Sequence, residues 1–385
     1  MATKLNLLSF FLVIILMHVG NISSSFSPET SSSTTGIKGG YWPSWKADKV
    51  PPSAIPTGYF THIFYAFATL NPETYSLNIT PSDKQWMPVF TNTIHSKSPS
   101  VKTMLSIGGA AANLTVFSMM SAKKEHRTAF INSTIDVARK YGFDGLDLDW
   151  EFPGTPREMN KLVYLFRDWR NAATEESISS GKPALLITAA VYYTTTVTLN
   201  TNIPRVYPGY RIGEYVDFLN PMCYDYHGGW EPTLTGANAL LYDKSSNVST
   251  SYGISTWKSS GINPEQIAMG LAIYGRSWTL SDLANNGIGA PATSVGPGVQ
   301  GVLGYNEILK FNAAFDATVV FDKTTVSTYS YSGTTWVGYD DVLTIILKVK
   351  FAKAQGLGGY FFWALDTDDN WSISRAASMA WDGEI

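Results

Sequence analysis

The sequence has few cysteines and few charged residues, and several protein classes depend on one or the other. Among its 385 residues there is a single cysteine, Cys223, so no disulfide can form within the chain. Cys223 lies in an apolar run and no histidine is placed to partner it in sequence, so we interpret it as a buried, inert thiol. A domain of this length can bury enough apolar surface to be stable without disulfides.

Charge is also sparse. Asp, Glu, Lys and Arg make up 15% of the chain, the formal net charge is −3, and the basic residues form no run in the sequence. This pattern predicts no nucleic-acid partner. The sequence also lacks a phosphate-binding loop and a cluster of metal ligands, so we expect neither a cofactor nor a metal. Aromatic residues, in contrast, reach 14% with 12 Trp. A Trp-rich core is one interpretation, but Trp is costly to bury whole, so part of this set is expected to line a groove.

The first residues have the pattern of a secretory signal peptide, which we place at 1–25. Lys4 gives a positive start, Leu5 to Val19 is mostly apolar, and small serines follow. The apolar stretch is short for a membrane span, so no membrane anchor is expected. Residues 26–35 are rich in Ser and Thr and predict a flexible leader.

Sequons for N-glycosylation support a secretory route. After the predicted signal peptide, five asparagines fit the Asn-x-Ser/Thr pattern, namely Asn78, Asn113, Asn132, Asn247 and Asn370. We therefore expect a secreted protein, with vacuolar targeting left open as an alternative.

Short apolar runs alternate with helical stretches over residues 36–385, the pattern of a parallel sheet in an α/β protein. Two of the helical stretches are Glu125–Tyr141 and Arg157–Ser177. Eight strand–helix units predict a (β/α)8 barrel rather than an open sheet. The eight predicted strands are Gly36–Trp42, His62–Thr69, Val101–Ile107, Gly142–Trp150, Ala184–Tyr192, Phe218–Tyr224, Ile267–Tyr274 and Gly358–Ala364.

The interval between the seventh and eighth predicted strands is about twice as long as the others. It holds a stretch rich in Gly, Pro and Ala, followed by three runs with β propensity. We predict a small α+β module inserted at residues 280–339. Active sites of such barrels are built from the loops that follow the strands, so this module is expected to wall one side of the groove.

A row of acids ends the fourth predicted strand. Asp147, Asp149 and Glu151 alternate with Leu148 and Trp150, so a strand would carry the three carboxylates on one face and the apolar residues on the other. Carboxylates this close raise one another's pKa, which suits proton transfer near neutral pH. A solvated edge strand and a cation site are the alternatives. Burial of the apolar residues argues against the first, and the lack of a calcium-loop spacing argues against the second.

The pattern Asp144-x-x-Asp147-x-Asp149-x-Glu151 resembles the signature of glycoside hydrolase family 18, and the layout from Gly36 to Trp381 is similar to that of plant class V chitinases. The resemblance implies a retaining, endo-acting chitinase that cleaves β-1,4 bonds between N-acetylglucosamine units. It also implies a substrate-assisted reaction, in which the substrate's own N-acetyl oxygen attacks the anomeric carbon.

Roles for the acids follow from their order and from the resemblance. Glu151 is the last of the row, so we assign it as general acid and then base. Asp149 would orient the acetamido group and share a proton with Glu151, while Asp147 lies deeper and sets the charge of Asp149. Asp144 has the opposite parity, and a capping or pairing role near the base of the strand is predicted for it.

Further candidates lie at the ends of other strands. In Met222-Cys223-Tyr224-Asp225, the resemblance implies that Tyr224 binds the acetamido oxygen and that Asp225 holds Asp149 or the sugar. Arg276 is expected to contact sugar hydroxyls or to stabilise Asp225. For Met222, ordinary core packing is an equally good interpretation. Aromatic candidates for the sugar pocket are Trp363, Tyr41 and Phe67, the last two with core packing as an alternative, and Trp45 and Trp230 are candidates further out.

Two other functions remain open at this point. One is a lectin-like protein that binds chitin with weak or no activity, against which the four retained acids argue. The other is a narrower hydrolase of modified chitin oligomers such as lipochitooligosaccharide (Nod factor) signals, with the same chemistry and a different outer groove. In each case the expected partner is chitin or an N-acetylglucosamine oligomer, and a monomer is expected.

Overall fold

The structure is a computed structural model that describes residues 36–199 and 203–385. The predicted signal peptide at 1–25 and the predicted leader at 26–35 lie outside the described residues. No helix in the described part of the chain is long and apolar enough to cross a membrane.

Strands are numbered here in chain order. They are β1 (Ile37–Pro43), β2 (His62–Leu70), β3 (Leu77–Asn78), β4 (Lys102–Gly108), β5 (Gly145–Asp149), β6 (Leu186–Tyr192), β7 (Thr196–Val197), β8 (Arg205–Val206), β9 (Phe218–Met222), β10 (Ala268–Ala272), β11 (Tyr274–Leu280), β12 (Ala292–Val295), β13 (Val302–Gly304), β14 (Thr318–Asp322), β15 (Ser327–Ser332), β16 (Thr335–Tyr339) and β17 (Gly359–Trp363).

Eight of these strands form the barrel. Their order is β10-β17-β1-β2-β4-β5-β6-β9, and every pairing along this path is parallel. A parallel bridge between Leu219 and Ile267 joins the two ends of the path. Each of the eight predicted strands overlaps one of these eight, so the (β/α)8 barrel is confirmed. Their C-terminal ends meet on one face, where such barrels carry their active sites.

The helices are α1 (Pro81–Lys97), α2 (Leu114–Ala122), α3 (Lys124–Tyr141), α4 (Pro156–Ser180), α5 (Gly209–Gly213), α6 (Thr250–Ser259), α7 (Tyr305–Ala314), α8 (Val342–Ala354) and α9 (Ser372–Asp382). The two predicted helical stretches correspond to α3 and α4. Sequence signals set both ends of α4: Thr155 and Glu158 form a capping box at its start, and Gly181 ends it in the left-handed conformation.

Strand β5 places the acids as the alternation predicts. Leu146 and Leu148 are buried against the surrounding helices, at 0% and 2% exposure, while Asp147 and Asp149 point into the barrel. Asp144 precedes the strand and faces the other way, accepting hydrogen bonds from the Thr103 amide and from His95 at 2.8 Å each. The predicted pairing role of Asp144 at the strand base therefore agrees with its contacts.

The inserted module is a second, antiparallel sheet with the order β12-β11-β16-β15-β14, to which β13 adds on β11. Trp278 and Trp336, both fully buried, form its own small core. Strand β11 already belongs to this sheet, so the module sheet begins at Tyr274 rather than at the predicted boundary of 280. The sequence does not show where the chain passes from the barrel sheet to the module sheet, because β11 follows β10 after a single residue.

A buried ion pair joins the module to the barrel. Lys348 on α8 contacts Asp340, which directly follows β16, at 2.5 Å, and both side chains are 1% exposed. The Lys348 ammonium also donates to the carbonyl of Ala239 in the loop after β9. Because an isolated charge is costly in such surroundings, each partner depends on the other.

Candidate active site

Asp147 is the deepest acid and has a complete set of neutral donors. Its carboxylate accepts hydrogen bonds from Tyr41 Oη at 2.9 Å, Ser106 Oγ at 2.7 Å and Thr188 Oγ1 at 2.6 Å. Ser106 and Thr188 flank Asp147 because they are its register partners on β4 and β6. Burial raises the pKa of Asp147, and the three hydrogen bonds oppose that shift.

Asp149, unlike Asp147, lacks a full set of hydrogen-bond donors in the described part of the chain. It is 4% exposed, and its Oδ1 has no hydrogen-bond partner among the described residues. Burial first, then the charges of Glu151 and Asp147, raises the pKa of Asp149 well above its usual range. Such a carboxyl holds a proton readily and can give a hydrogen bond to a neighbour or to a ligand.

Glu151 lies just beyond β5, at the mouth of the barrel. Burial, followed by the Asp225 carboxylate, raises the pKa of Glu151 to about 7. A carboxyl with that pKa can both donate and recover a proton near neutral pH, which is the requirement for a general acid that becomes a base.

Asp225 approaches Glu151 from the loop after β9. It has a left-handed backbone, with φ of 57°, and its carboxylate accepts a hydrogen bond from Arg276 Nε at 2.9 Å. The Arg276 guanidinium also lies 5.1 Å from the ring centre of Trp230. The predicted contact between Arg276 and Asp225 is therefore present.

Aromatic side chains form the other wall. The rings of Phe67 and Trp363 stack with their centres 5.5 Å apart, and Tyr41 meets Trp363 edge-on at 5.8 Å. The exposed Trp45 stacks on Phe67 at 6.1 Å and extends the apolar surface outward. A continuous apolar wall facing carboxylates suits a sugar ring, which has C–H faces and hydroxyl edges.

One cavity brings most of the predicted residues together. Of the ten site residues predicted from the sequence, eight line it: Tyr41, Phe67, Asp149, Glu151, Met222, Tyr224, Asp225 and Trp363. The other two, Asp147 and Arg276, lie against members of this set through the hydrogen bonds to Tyr41 and Asp225. Their grouping at one place agrees with the prediction, and their roles stay predictions.

Close backbone approach explains the two glycines at the end of β4. A Cβ on Gly108 would lie 2.0 Å from the Asp149 carbonyl oxygen, and one on Gly109 would lie 2.5 Å from the Phe67 ring. Gly109 also donates its amide proton to the Asp149 carbonyl at 2.9 Å. Both glycines have positive φ, so side chains here would displace the acid row and its aromatic partner.

Asn238 is a site residue that sequence reasoning missed. It is 1% exposed, and its Oδ1 accepts from the Asp225 amide at 3.3 Å while its Nδ2 donates to the Tyr274 carbonyl at 3.1 Å. Its own carbonyl accepts from the Tyr226 amide at 3.0 Å. These three bonds hold the turn that carries Asp225. An isolated asparagine in a loop gives no sequence signal for such a role.

Comparison with known proteins agrees with this geometry. The family model "Glycosyl hydrolases family 18" matches residues 38–368. A class V chitinase of Medicago truncatula is 49% identical over 372 residues, covering 96% of each chain. Nod factor hydrolase protein 1 of the same species is 47% identical over 358 residues, covering 91% of each.

Solved structures show the same architecture. A mutant class V chitinase from tobacco, in complex with NAG4, superposes with a TM-score of 0.85 at 39% identity, covering 90% of this chain and 99% of that one. A chitinase-like agglutinin from Robinia pseudoacacia gives a TM-score of 0.82 at 40% identity with the same coverage. The matched family model, the shared barrel and the high identity to class V chitinases show that the chain belongs to glycosyl hydrolase family 18.

Proposed function

We propose that the chain hydrolyses β-1,4 bonds in chitin and its N-acetylglucosamine oligomers by a retaining, substrate-assisted mechanism. The observation that carries the proposal is the pairing of Asp149 and Glu151 on one wall of a cavity whose facing wall is aromatic. Two acids whose pKa values are raised by burial supply the proton that the leaving sugar needs. Relatives with this architecture were solved with bound NAG4, which supports an oligomer of the same kind as ligand here.

In the proposed reaction, Glu151 donates its proton to the glycosidic oxygen and the bond to the leaving sugar breaks. The acetamido oxygen of the retained sugar attacks the anomeric carbon at the same time, held by Asp149 and by the Tyr224 phenol. Glu151, now a carboxylate, then takes a proton from the water that opens the cyclic intermediate. The hydroxyl of the product thereby keeps the β configuration.

We also propose that the enzyme works as a monomer, because the predicted catalytic and sugar-binding residues gather at one cavity of a single barrel. The signal-like segment at 1–25 and the sequons after it support the proposal that it is secreted.

A narrower substrate is the second candidate function, favoured by the 47% identity to a Nod factor hydrolase. Turnover of chitin oligomers of graded length, compared with an oligomer acylated at its terminal amine, separates the two. Cleavage of the unmodified tetramer or hexamer at rates equal to or above those of the acylated oligomer supports the chitinase. A strong preference for the acylated oligomer supports the narrower enzyme, and binding of both without turnover would support a lectin.

Turnover should decline on the alkaline side with an apparent pKa near 7. The pKa of Glu151 is raised to about 7 by burial and by the Asp225 carboxylate. Only the protonated form can supply the proton, so that form is depleted as the pH rises through this value. The dependence of kcat/KM on pH, measured on a chitin tetramer, reports this limb. A limb close to the ordinary glutamate pKa of 4.5 would contradict the assignment.

Asn238→Ala should move that alkaline limb to lower pH. Loss of the side chain frees the turn that carries Asp225, so the carboxylate that raises the pKa of Glu151 moves away. The variant should also lose some stability, about 1–3 kcal/mol, because the Asp225 amide and the Tyr274 carbonyl lose a buried partner. The pH profile of kcat/KM and the melting temperature measure the two effects separately.

A double variant tests whether Asn238 acts through Asp225. Asp225→Asn removes the charge, so by itself it should move the alkaline limb of the pH profile to lower pH. Adding Asn238→Ala to Asp225→Asn should then cause no further shift of the alkaline limb, although the stability of the protein still falls. Equal shifts in the two backgrounds would show that Asn238 acts by another route.

A further inference from the structure

A cleft on the outside of the barrel collects positive charge. It has a volume of about 500 Å³ and lies between α3 and α4, and five of the eight residues that line it are basic. The five are Lys124, Arg127, Arg157, Lys161 and Arg167. The chain as a whole has a formal net charge of −3, so this cleft opposes the general sign of the protein.

Few carboxylates neutralise the cleft. Asp168 pairs with Arg127 at 2.9 Å and with Arg167 at 2.8 Å. Lys124, Arg157 and Lys161 have no carboxylate within 4.0 Å anywhere in residues 36–199 and 203–385. Three cations that have no carboxylate partner among the described residues therefore share one concave surface. Their charges repel one another, and a bound anion would reduce that repulsion.

A second acid of α4, Glu158, follows Arg157 in the chain and is already engaged elsewhere. Glu158 accepts hydrogen bonds from the Thr155 amide at 3.0 Å and from the Ser118 hydroxyl, as part of the cap of α4. At the start of α3 the N-cap residue, Lys123, offers no side-chain acceptor to the first amides, and Glu125 is the acid of the first turn.

The shape of the cleft favours a chain of anions over a single one. Arg157, Lys161 and Arg167 lie along α4 over ten residues, a rise of about 15 Å. One phosphate or carboxylate contacts only a fraction of that length, whereas a polymer with repeated charges can contact all three cations.

Two of the three uncharged residues in the cleft favour a sugar as the carrier of those charges. Asn160 and Tyr164 lie between the cations, and Tyr164 is 43% exposed. Arg167 lies 5.2 Å from the Tyr164 ring centre, within reach of a cation–π contact. Single-stranded nucleic acids are usually bound by several stacking aromatic rings, and this cleft has one.

We propose that this cleft binds an acidic polysaccharide through its repeated carboxylates. Such a contact would hold the chitinase on an acidic polymer while the barrel mouth stays free, since the cleft and the catalytic cavity have no lining residue in common. The proposal does not depend on the substrate of the catalytic site.

Binding of the full chain to polygalacturonate tests the proposal. At low salt the protein should be retained, and at about 1 M salt, where charges are screened beyond about 3 Å, retention should be lost. Fully methyl-esterified polymer, which has the same backbone without the charges, should not retain it. The variant Arg157→Glu/Lys161→Glu should bind at least ten-fold more weakly and should cleave chitin tetramer at the wild-type rate.

A matched variant separates the cleft from net charge. Lys310→Glu/Lys323→Glu makes the same change in charge at two exposed lysines of the module sheet and its helix, and it should bind polygalacturonate as the wild type does. Equal weakening in both double variants would overturn the proposal, as would no retention of the wild type at low salt. Preferential binding to duplex DNA or to vesicles of anionic lipid would also overturn it.

Discussion

Glu151→Gln is expected to lower turnover of chitin oligomers by at least about 10²–10⁴-fold, the usual contribution of general acid catalysis. Glutamine keeps the size of the side chain and its capacity for hydrogen bonds, but it cannot give a proton to the glycosidic oxygen. Affinity for the tetramer should stay within a few fold of the wild type, because the aromatic wall and Asp225 are untouched. Steady-state turnover and calorimetric binding measure the two quantities on one preparation.

Glu158→Gln is the matched control. It is the same chemical change seven residues further along, at the cap of α4, where glutamine can also complete a capping box. This variant should retain nearly wild-type turnover. If Glu151→Gln retained more than a tenth of wild-type turnover, Glu151 would not be the acid. A mutant tobacco relative was solved with NAG4 bound, so at least one altered enzyme of this class holds its ligand.

The acid row could be read from sequence because strand parity is a local property. The prediction that three acids share one face rests on two facts: Asp147, Asp149 and Glu151 alternate with leucine and tryptophan, and a barrel strand has one inward face. The donors to Asp147 could not be found in this way. Ser106 and Thr188 become its neighbours through the register of β4, β5 and β6, and Asn220 enters the network through the Tyr41 phenol at 3.0 Å.

Two other features that the sequence analysis did not predict depend on contacts between residues far apart in the chain. Asn238 reaches Asp225 across a loop, and no periodic pattern marks it. The basic cleft is likewise absent from the sequence, where Lys124 and Arg167 lie more than forty residues apart and no basic run occurs. Helices α3 and α4 bring them together. Local patterns therefore predicted the elements and the residues at strand ends, while partners set by packing became visible only in the structure.

The last expectation concerns the nucleophile. If the acetamido group attacks, an oligomer that lacks the N-acetyl group at the cleaved unit should bind and not react, and the first product should be the β-anomer. Asp149→Asn should lower turnover far more than affinity, since it disturbs the group that positions the acetamide and shares charge with Glu151. Proton NMR of fresh product, with acetylated and deacetylated oligomers compared, measures both results.

Asp225 is the carboxylate that could act as an enzyme nucleophile instead, because it lines the same cavity from the loop after β9. Asp225 accepts a hydrogen bond from Arg276 at 2.9 Å, and its charge contributes to the raised pKa of Glu151, so we assign Asp225 to tuning the acid rather than to attack on the sugar. Asp225→Asn should therefore keep measurable turnover of the acetylated oligomer with an alkaline limb at lower pH. Complete loss of turnover in Asp225→Asn, together with cleavage of the deacetylated oligomer by the wild type, would assign the attack to Asp225. An α-anomer as first product would exclude retention by either group and leave direct attack by water.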